Sequence, residues 1–336
     1  MKNDLLVSVI IPVRVMSYYL LFETLPALAK QTYPHFEVLI LPNDHTAYDS
    51  AILKQYAWLR IIPTGKVTRP AEKRNIGSEN AKGKILAFLD DDAYPHAQWL
   101  EQAVHVFDTK KCSAVCGPGV IPPSSSLFEQ VFDEVLGSPL GSGGFVYRFI
   151  PQTSRSVDDY PSMNFLIQSS DFEKVGKFRE NYWPGEDSKL CEALVQKGKK
   201  IWYDPGILVY HHRRSKIVSF ILQHKEYGFH RGSFFSQGDV NSQKLIYTVP
   251  SLFVIYIIFF LFLSPIFLLT NKLIFLYISL SPVLIYFFFT LIYGVRSSML
   301  RRKYQMIFVM PVVFFCIHIV YGVYFIKGLV VGRRKK

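Results

Sequence analysis

The chain has 336 residues, 50% of them hydrophobic, and carries a formal net charge of +12. This length is enough for one domain of roughly 200–250 residues and a further region. Such a charge would indicate nucleic-acid binding in a soluble protein, but no interleaved aromatic and basic residues accompany it, so we expect no nucleic-acid partner. The cysteines at 112, 116, 191 and 316 lack metal-ligand spacing, which predicts structural thiols in a reducing compartment.

Apolar runs alternate with mixed segments in the first part of the chain. The predicted strands cover residues 7–13, 36–41, 59–63, 85–89 and 113–116. The predicted helices cover residues 18–31, with a kink at Pro26, and then 47–56, 71–80 and 97–107. This alternation predicts an α/β domain with a mostly parallel sheet. The first apolar run, at residues 7–13, is too short for a membrane span and lacks the small-residue cleavage site of a secretion signal. We therefore expect the first 240 or so residues to stay in the cytosol.

Three consecutive aspartates, Asp90, Asp91 and Asp92, follow the fourth predicted strand. Like charges this close repel one another, and a divalent cation would offset that cost. Hard oxygen ligands suit Mg²⁺ or Mn²⁺, and such an ion usually completes its shell with substrate phosphates. Because ligands bind at the carboxyl ends of strands in open α/β sheets, the motif predicts a metal site there. The alternative is a solvated acidic turn that caps the next helix.

Beyond residue 117 the chain first becomes irregular and then regains order. Residues 118–161 are rich in glycine, proline and serine, which predicts binding loops. A strand at 163–167, a helix near 171–175, a helix that opens with residues 183–187 and runs to about 197, and strands at 200–203 and 207–210 are expected to follow. Glu186 and Asp187 begin the second of these helices, where the helix dipole favours carboxylates and is a sufficient structural reason for them. The last strand leads into His211 and His212.

Three apolar stretches follow, at about 245–269, 273–294 and 306–326. Each approaches the roughly 20 residues that a membrane-spanning helix needs, which predicts an integral membrane protein. Residues 216–244 before them predict a basic amphipathic helix and a linker, with Ile217, Phe220, Ile221 and His224 on one face. This helix is expected either to lie in the headgroup layer or to pack on the domain.

Basic residues border the apolar stretches, in the predicted loop 296–303 and in the tail 331–336. Such residues favour the cytoplasmic side, where the lipids are anionic. With a cytosolic domain and three spans, the loop falls inside but the tail falls outside. Pro311 and Gly322 offer an alternative, in which they break the last stretch into a re-entrant hairpin that returns the tail to the cytosol.

Five sequence stretches, in order between Val7 and Gly232, resemble a family 2 glycosyltransferase of GT-A fold. They are Ser8-Val9-Ile10-Ile11-Pro12-Val13, Gln31-Thr32-Tyr33-Pro34-His35-Phe36-Glu37-Val38, Lys73-Arg74-Asn75-Ile76-Gly77, Phe88-Leu89-Asp90-Asp91-Asp92 and Gly185-Glu186-Asp187. The resemblance implies a Rossmann-like catalytic domain with a mostly parallel, mixed sheet in residues 1–215, followed by transmembrane helices within 245–330. It also implies a nucleotide-sugar donor and a divalent metal, Mn²⁺ or Mg²⁺.

The same resemblance implies roles for individual residues. Asp92 is the first choice as metal ligand, and Asp90 contacts the metal or the donor ribose. Asp187 is the catalytic base of an inverting transfer, with Glu186 supporting it. Donor binding is expected to involve Pro12, Asp44, Arg74, Asn75, Asp90 and Asp91.

Two positions in this assignment stay open. A histidine after the last strand completes the metal shell in many relatives, and His211 is preferred over His212 because it directly follows Tyr210. Relatives usually carry an acidic pair after the second strand, where this chain has Leu41-Pro42-Asn43-Asp44-His45. The nucleobase, whether uracil, guanine or thymine, therefore stays open.

The acceptor is expected to be lipid-linked or a membrane glycan, in glycan or polysaccharide synthesis, because the chain itself is expected to be bound to membrane lipids. The Gln-x-x-Arg-Trp motif of processive polymerases is absent, which favours addition of a single sugar. One alternative is a membrane-tethered nucleotidyl- or phosphotransferase, although the turn after the first strand, Pro12-Val13-Arg14-Val15-Met16, has no glycine-rich phosphate loop. Another is a non-catalytic scaffold of the same fold. Self-association is left open.

Overall fold

The computed structural model describes residues 5–44, 53–182 and 184–332. Contacts divide the chain into two compact units. The first unit comprises Met1–Pro123 and Tyr147–His212, and the second comprises Ser124–Val146 and Arg213–Lys336. Ser124–Val146, which the sequence prediction placed within residues 1–215, thus groups with the C-terminal helices.

The first unit is built on a mixed, mostly parallel sheet with the strand order β3-β2-β1-β4-β9-β6-β10-β8. Strands β2, β1 and β4 run parallel, whereas β9 is antiparallel to both β4 and β6. A smaller sheet has the order β5-β11-β7. The strands are β1 Val7–Pro12, β2 Phe36–Leu41, β3 Leu59–Ile61, β4 Ile85–Leu89, β5 Ala93–Pro95, β6 Ala114–Cys116, β7 Gly119–Val120, β8 Arg155–Val157, β9 Asn164–Gln168, β10 Ile201–Tyr203 and β11 Val209–His211.

The central strands explain where the core of this unit lies. Every residue of β1 and β4 is buried, and β4 consists entirely of apolar residues. Such near-continuous apolar runs are typical of parallel strands that are covered on both faces. The predicted α/β architecture with a mixed sheet is therefore confirmed.

Helices flank this sheet and differ from the predicted ones mainly at their ends. They are α1 Leu25–Leu28, α2 Pro70–Asn80, α3 Trp99–Lys110, α6 Ser169–Val175 and α7 Glu186–Gln196. The predicted helix at 18–31 is instead a π-helical turn, Leu20–Thr24, followed by the short α1. Pro26 has no N–H to donate, which accounts for the interruption of the regular helical ladder. The predicted helix at 47–56 falls largely outside the described residues.

The second unit is helical. It contains α4 Leu127–Leu136, α5 Pro139–Ser142, α8 Ile217–Ser236, α9 Val249–Leu269, α10 Leu273–Arg301 and α11 Met306–Gly332. Three segments of the described chain are long and apolar enough to cross a membrane, namely Leu245–Leu269, Leu273–Arg301 and Met306–Gly332, which indicates membrane association. The core of this unit joins Val131, Phe132 and Val135 of α4 to Phe220 and to residues of α11.

One expectation for this region is wrong, and one alternative is excluded. The predicted basic loop at 296–303 is helical as far as Arg301, whose guanidinium pairs with Glu134 at 2.7 Å. The hairpin considered as an alternative at Pro311 and Gly322 does not form, because α11 is continuous. Gly322 instead lets helix backbones meet, since a Cβ there would lie 2.4 Å from the carbonyl oxygen of Pro250.

Candidate functional site

An acidic cluster lies where β4 ends, and strand pairing brings a histidine to it. Strand β11 runs antiparallel to β5 with His211 opposite Ala93. The backbone N–H of His212 donates to the carbonyl of Asp92 at 3.0 Å, which continues this pairing. His211 Nε2 consequently lies 3.1 Å from Asp92 Oδ1. Chain folding has thus joined two segments that are 119 residues apart.

This cluster has the composition of a divalent-metal site. Ligand atoms of Asp90, Asp92 and His211 all lie within 4.8 Å of one another. Two carboxylates and an imidazole suit Mn²⁺ or Mg²⁺, with further positions open to phosphate oxygens or water. The three residues chosen from the sequence as metal ligands are therefore brought together.

The neighbouring histidine faces elsewhere. His212 Nε2 lies 2.6 Å from Glu23 Oε2, and its ring stacks on Tyr19 with the ring centroids 4.0 Å apart. Successive residues of a strand point to opposite sides, so His211 and His212 cannot both reach the acidic cluster. Of the two candidate metal ligands, His211 therefore lies in the acidic cluster, whereas His212 contacts the π-helical turn through Tyr19 and Glu23.

Arg74 connects the acidic cluster to the start of α7. Its side chain is only 4% exposed, and Nη2 donates to Asp90 Oδ1 at 2.7 Å. Nη1 lies 3.5 Å from Glu186 Oε1. Burial opposes the charge of the guanidinium, but Asp90, Asp187 and Glu186 outweigh it and raise the pKa of Arg74. A single buried cation therefore links the two carboxylate groups that the sequence singled out.

Glu186 and Asp187 occupy the first turn of α7, directly after Gly185, whose φ of 131° favours glycine. Burial, together with the nearby charge of Asp187, raises the pKa of Glu186 to about 7. Burial also raises the pKa of Asp187, although Arg74 and hydrogen bonds from Ser162 act in the opposite direction. Asp187 Oδ1 is buried and finds no hydrogen-bond partner among the described residues. A carboxylate oxygen in that state is suited to accept a proton.

Two further interactions fix the beginning of α7. Ser188 Oγ donates to Asp159 Oδ1 at 2.9 Å, and the thiol of Cys191 lies 3.5 Å from the carbonyl oxygen of Tyr160. Both contacts tie the helix to the segment that precedes β9. This anchoring accounts for the defined orientation of Asp187.

Sequence reasoning assigned no role to Lys73, which joins the ends of β1 and β2. Its buried Nζ donates to the carbonyl oxygens of Val13 and Leu41 and to Asn43 Oδ1. Burial lowers the pKa of Lys73 to about 8, although the charges of Asp91 and Asp44 act in the opposite direction. Lys73 begins the stretch Lys73-Arg74-Asn75-Ile76-Gly77, which resembles the glycosyltransferase family. Its place in that stretch is the only feature of the sequence that could have identified it as a functional residue.

The central aspartate of the triplet is Asp91, which is partly buried. Burial, and then the charges of Asp92 and Asp90, raise the pKa of Asp91 to about 7. Ser17 donates to the backbone carbonyl of Asp91 at 3.3 Å. Asp91 therefore lies in the acidic cluster while its backbone supports the loop after β1.

The remaining predicted donor-binding residues are not among the ligand groups of this cluster. The amide group of Asn75 is engaged by the backbone of Phe178 and by Glu180 Oε1, at 2.9–3.1 Å. Pro12 is buried at the end of β1, and Asp44 is exposed just beyond β2. His45, which follows it, lies outside the described residues.

Comparison with known proteins agrees with this geometry. Residues 8–176 match the family model described as glycosyl transferase family 2. The Pre-mycofactocin glycosyltransferase of Mycobacterium tuberculosis is 30% identical over 159 residues, which are 47% of this chain and 33% of that protein. Glycosyltransferase AglE of Haloferax volcanii is 37% identical over 221 residues, which are 62% of this chain and 67% of that protein. The chain thus spans about a third of the first of these relatives and two thirds of the second.

A solved structure is similar in fold. The mannosyltransferase PcManGT of Pyrobaculum calidifontis, in complex with GDP-Man and Mn²⁺, aligns with a TM-score of 0.53 and 17% identity. The alignment covers 73% of this chain and 70% of that one. At this identity the likeness concerns the fold alone, and it confirms the predicted GT-A-like sheet.

Proposed function

The chain belongs to glycosyl transferase family 2, and from this premise we propose that it is an inverting enzyme. It would transfer one sugar from a nucleotide-sugar donor to an acceptor held at the membrane. The observation that carries this proposal is the placement of Asp187. One buried oxygen of that carboxyl group has no hydrogen-bond partner in the part of the chain that the structure describes, and Arg74 contacts both the neighbouring Glu186 and Asp90 of the acidic cluster.

The acidic cluster would hold the divalent cation. Asp90, Asp92 and His211 are the residues that fit it, because their ligand atoms lie within 4.8 Å of one another. A bound Mn²⁺ or Mg²⁺ would neutralise the negative charge that collects on the departing nucleoside diphosphate. The presence of Mn²⁺ and GDP-Man in the PcManGT structure supports a similar requirement here.

The side chains of the protein would carry out the other tasks of the reaction. The acceptor hydroxyl oxygen attacks the anomeric carbon and gives its proton to Asp187, while the bond from that carbon to the diphosphate breaks. Glu186 would help to orient Asp187, and the positive charge of Arg74 would keep the pKa of Asp187 from rising further. Pro12, Asp44, Asn75 and Asp91 line or support the donor side of the site in this proposal.

A membrane-associated acceptor, most simply a lipid-linked one, explains why the enzyme carries apolar helices. Three segments are long and apolar enough to span a bilayer. We place the chain in the cytoplasmic membrane with the catalytic unit facing the cytosol, where nucleotide sugars are made. An acceptor confined to the same bilayer would meet the enzyme at high effective concentration.

Binding measurements on the full chain in detergent test the donor and metal parts of the proposal. A panel of nucleotide sugars, with and without Mn²⁺, should raise the thermal unfolding temperature for one donor, because a ligand that binds only the folded state stabilises it. His211→Ala should abolish the Mn²⁺-dependent part of the shift. The matched variant His212→Ala should keep it, since His212 contacts Glu23 and not the cluster. Full turnover in EDTA would contradict metal dependence.

A partition assay tests the acceptor. Membranes that contain the full chain, given radiolabelled donor, should incorporate label into material that extracts into organic solvent. The Asp187→Asn variant in the same membranes should not. Label recovered only in soluble oligosaccharide or protein would contradict the lipid-linked acceptor and leave glycosyl transfer itself untouched.

A further inference from the structure

Helices α8 and α11 lie side by side and run in the same direction. A Cβ at Gly228 of α8 would lie 2.4 Å from the carbonyl oxygen of Tyr321, and one at Gly232 would lie 2.1 Å from that of Phe325. In return, a Cβ at Gly328 of α11 would lie 2.0 Å from the carbonyl oxygen of Phe229. Contacts that advance together along both helices require them to be parallel. The two helices therefore share one depth in any membrane.

Helix α8 is a poor membrane span. It carries Lys225, Glu226, His230 and Arg231, and the side chain of Glu226 is 53% exposed. Charged side chains are costly in the hydrocarbon layer, and α8, although its 20 residues are long enough, is not apolar enough to be a candidate span. Because α11 is held alongside α8, the position of α8 also limits that of α11.

The middle of α11 contacts the short helix α5. His318 Nε2 lies 3.0 Å from the carbonyl oxygen of Leu140 in this helix. Pro139 and Gly144, on either side of Leu140, are exposed. If α11 crossed the bilayer, this exposed segment would lie near the bilayer centre, where the backbone groups that a four-residue helix leaves without helical partners would face lipid.

The three apolar helices also differ in how much protein covers them. In each of the first two candidate spans, other parts of the protein bury 6% of the most apolar stretch. In Met306–Gly332 they bury 39% of it. The exposed large residues of α11 form one stripe, opposite the face that packs on α8: they are Phe308, Val312, Val323 and Val330. A helix with one apolar stripe and one protein-covered face is suited to lie at a membrane surface.

We propose that the chain crosses the bilayer twice, through α9 and α10, and that α11 lies with α8 against the headgroup layer. Its exposed stripe would rest on the acyl boundary, and the C-terminal end of α11, which the basic sequence Arg333-Arg334-Lys335-Lys336 follows, would be on the same side of the membrane as the catalytic unit. This arrangement satisfies the preference of basic segments for anionic cytoplasmic lipid without a hairpin in α11. It rests on the proposed membrane association and is independent of glycosyl transfer.

Cysteine labelling of the full chain in sealed membrane vesicles tests the arrangement. In a Cys316→Ser background, the remaining cysteines are buried. Single cysteines are then placed at Asp108 in the catalytic unit, at Asn271 between α9 and α10, at Tyr304 between α10 and α11, and at Lys336. A membrane-impermeant maleimide is applied from each side, after a carbonate wash has shown that the protein stays in the membrane.

The two-span arrangement predicts that Asp108→Cys, Tyr304→Cys and Lys336→Cys react from one side and Asn271→Cys from the other. Lys336→Cys reacting together with Asn271→Cys would show that α11 crosses the bilayer and would overturn the proposal. Tyr304→Cys reacting together with Asn271→Cys would overturn the α9–α10 hairpin. Release of the protein by carbonate would overturn membrane association, on which the proposal rests, whatever the enzyme's turnover.

Discussion

The carboxyl group of Asp187 combines features that a structural helix cap does not need. A cap can be exposed to water, and its oxygens accept hydrogen bonds from the first backbone N–H groups. Asp187 Oδ1 is instead buried without a partner among the described residues, and burial raises the pKa of the group. At the residue scale, the environment favours a proton acceptor over a cap.

The Asp187→Asn variant should therefore lose turnover and keep the fold. Asparagine preserves size and hydrogen-bonding capacity but cannot take up the proton, so we expect turnover to fall by roughly 10²-fold or more. Donor binding, followed by thermal shift, should be unchanged. Glu192→Gln on the same helix is the matched control and should retain activity, because Glu192 pairs with Lys189. If the Asp187→Asn enzyme keeps more than half the original rate, Asp187 is a helix cap and not the catalytic base.

The raised pKa values of Glu186 and Asp187 predict the acid limb of the pH profile. Asp187 must be deprotonated to act as the base, and burial raises its pKa above the usual value of an aspartate, so kcat/KM should fall as the pH drops through that raised pKa and recover above it. Arg74 lowers the pKa of both carboxyl groups. Arg74→Gln should consequently move the midpoint to higher pH, measured at constant saturating Mn²⁺. The control variant Arg69→Gln changes an exposed residue and should leave the midpoint of the pH profile unchanged. Equal midpoints in the wild type and in both variants would contradict the effect of Arg74 on the two carboxyl groups.

At the scale of elements, glycines determine how α8 packs against α11. Gly228 and Gly232 are one turn apart on α8, and Gly328 and Gly332 repeat the spacing on α11. Small residues at this spacing allow helix backbones to approach closely. The helix pair therefore depends on the absence of four Cβ atoms.

Gly232→Ala should destabilise the protein even though alanine is the better helix former. The usual gain is about 0.5–1 kcal/mol, but a Cβ 2.1 Å from the carbonyl oxygen of Phe325 forces the helices apart. We expect a net loss of about 1–3 kcal/mol, seen as a lower thermal unfolding temperature in detergent. At Gly144 a Cβ would meet no atom within 4 Å, so Gly144→Ala serves as the control. A higher unfolding temperature for Gly232→Ala would contradict the packing.

On the scale of the whole molecule, the chain enters the second unit twice. The chain leaves the first unit after Pro123, and α4 then packs Val131, Phe132 and Val135 on residues of α11. Asp133 of α4 also accepts hydrogen bonds from Arg213, at 2.9 and 3.1 Å. The membrane-associated unit therefore includes an internal segment of the chain, Ser124–Val146, in addition to the C-terminal helices.

A chain truncated before Leu245 should for this reason aggregate. Loss of α11 uncovers the apolar face of α4, and exposed apolar surface promotes association. Size-exclusion chromatography with light scattering should show oligomers, while the full chain in detergent stays uniform. Val131→Ser combined with Val135→Ser should reduce the aggregation of the truncated chain. If the truncated chain is monomeric and as stable as the full chain, then α4 does not depend on packing against α11.

The sequence by itself determined the local elements and the chemistry of the motifs. The apolar runs at β1 and β4 located the central strands, and the length of the three apolar segments located the helices that can span a membrane. The aspartates after β4 and the motif order were sufficient to recognise the family. All of these features depend on neighbouring residues, whose spacing is visible in the chain itself.

The tertiary structure decided which distant residues meet. The pairing of β11 with β5 places His211, and not His212, beside Asp92, and the sequence preferred His211 without being able to establish this contact. The buried position of Arg74 connects Asp90 with Glu186, and α4 joins the C-terminal helices. Pro311 and Gly322, which locally favour a break, lie within a continuous helix because packing on neighbouring helices stabilises it. Contacts of this kind depend on long-range packing, which local propensity does not encode.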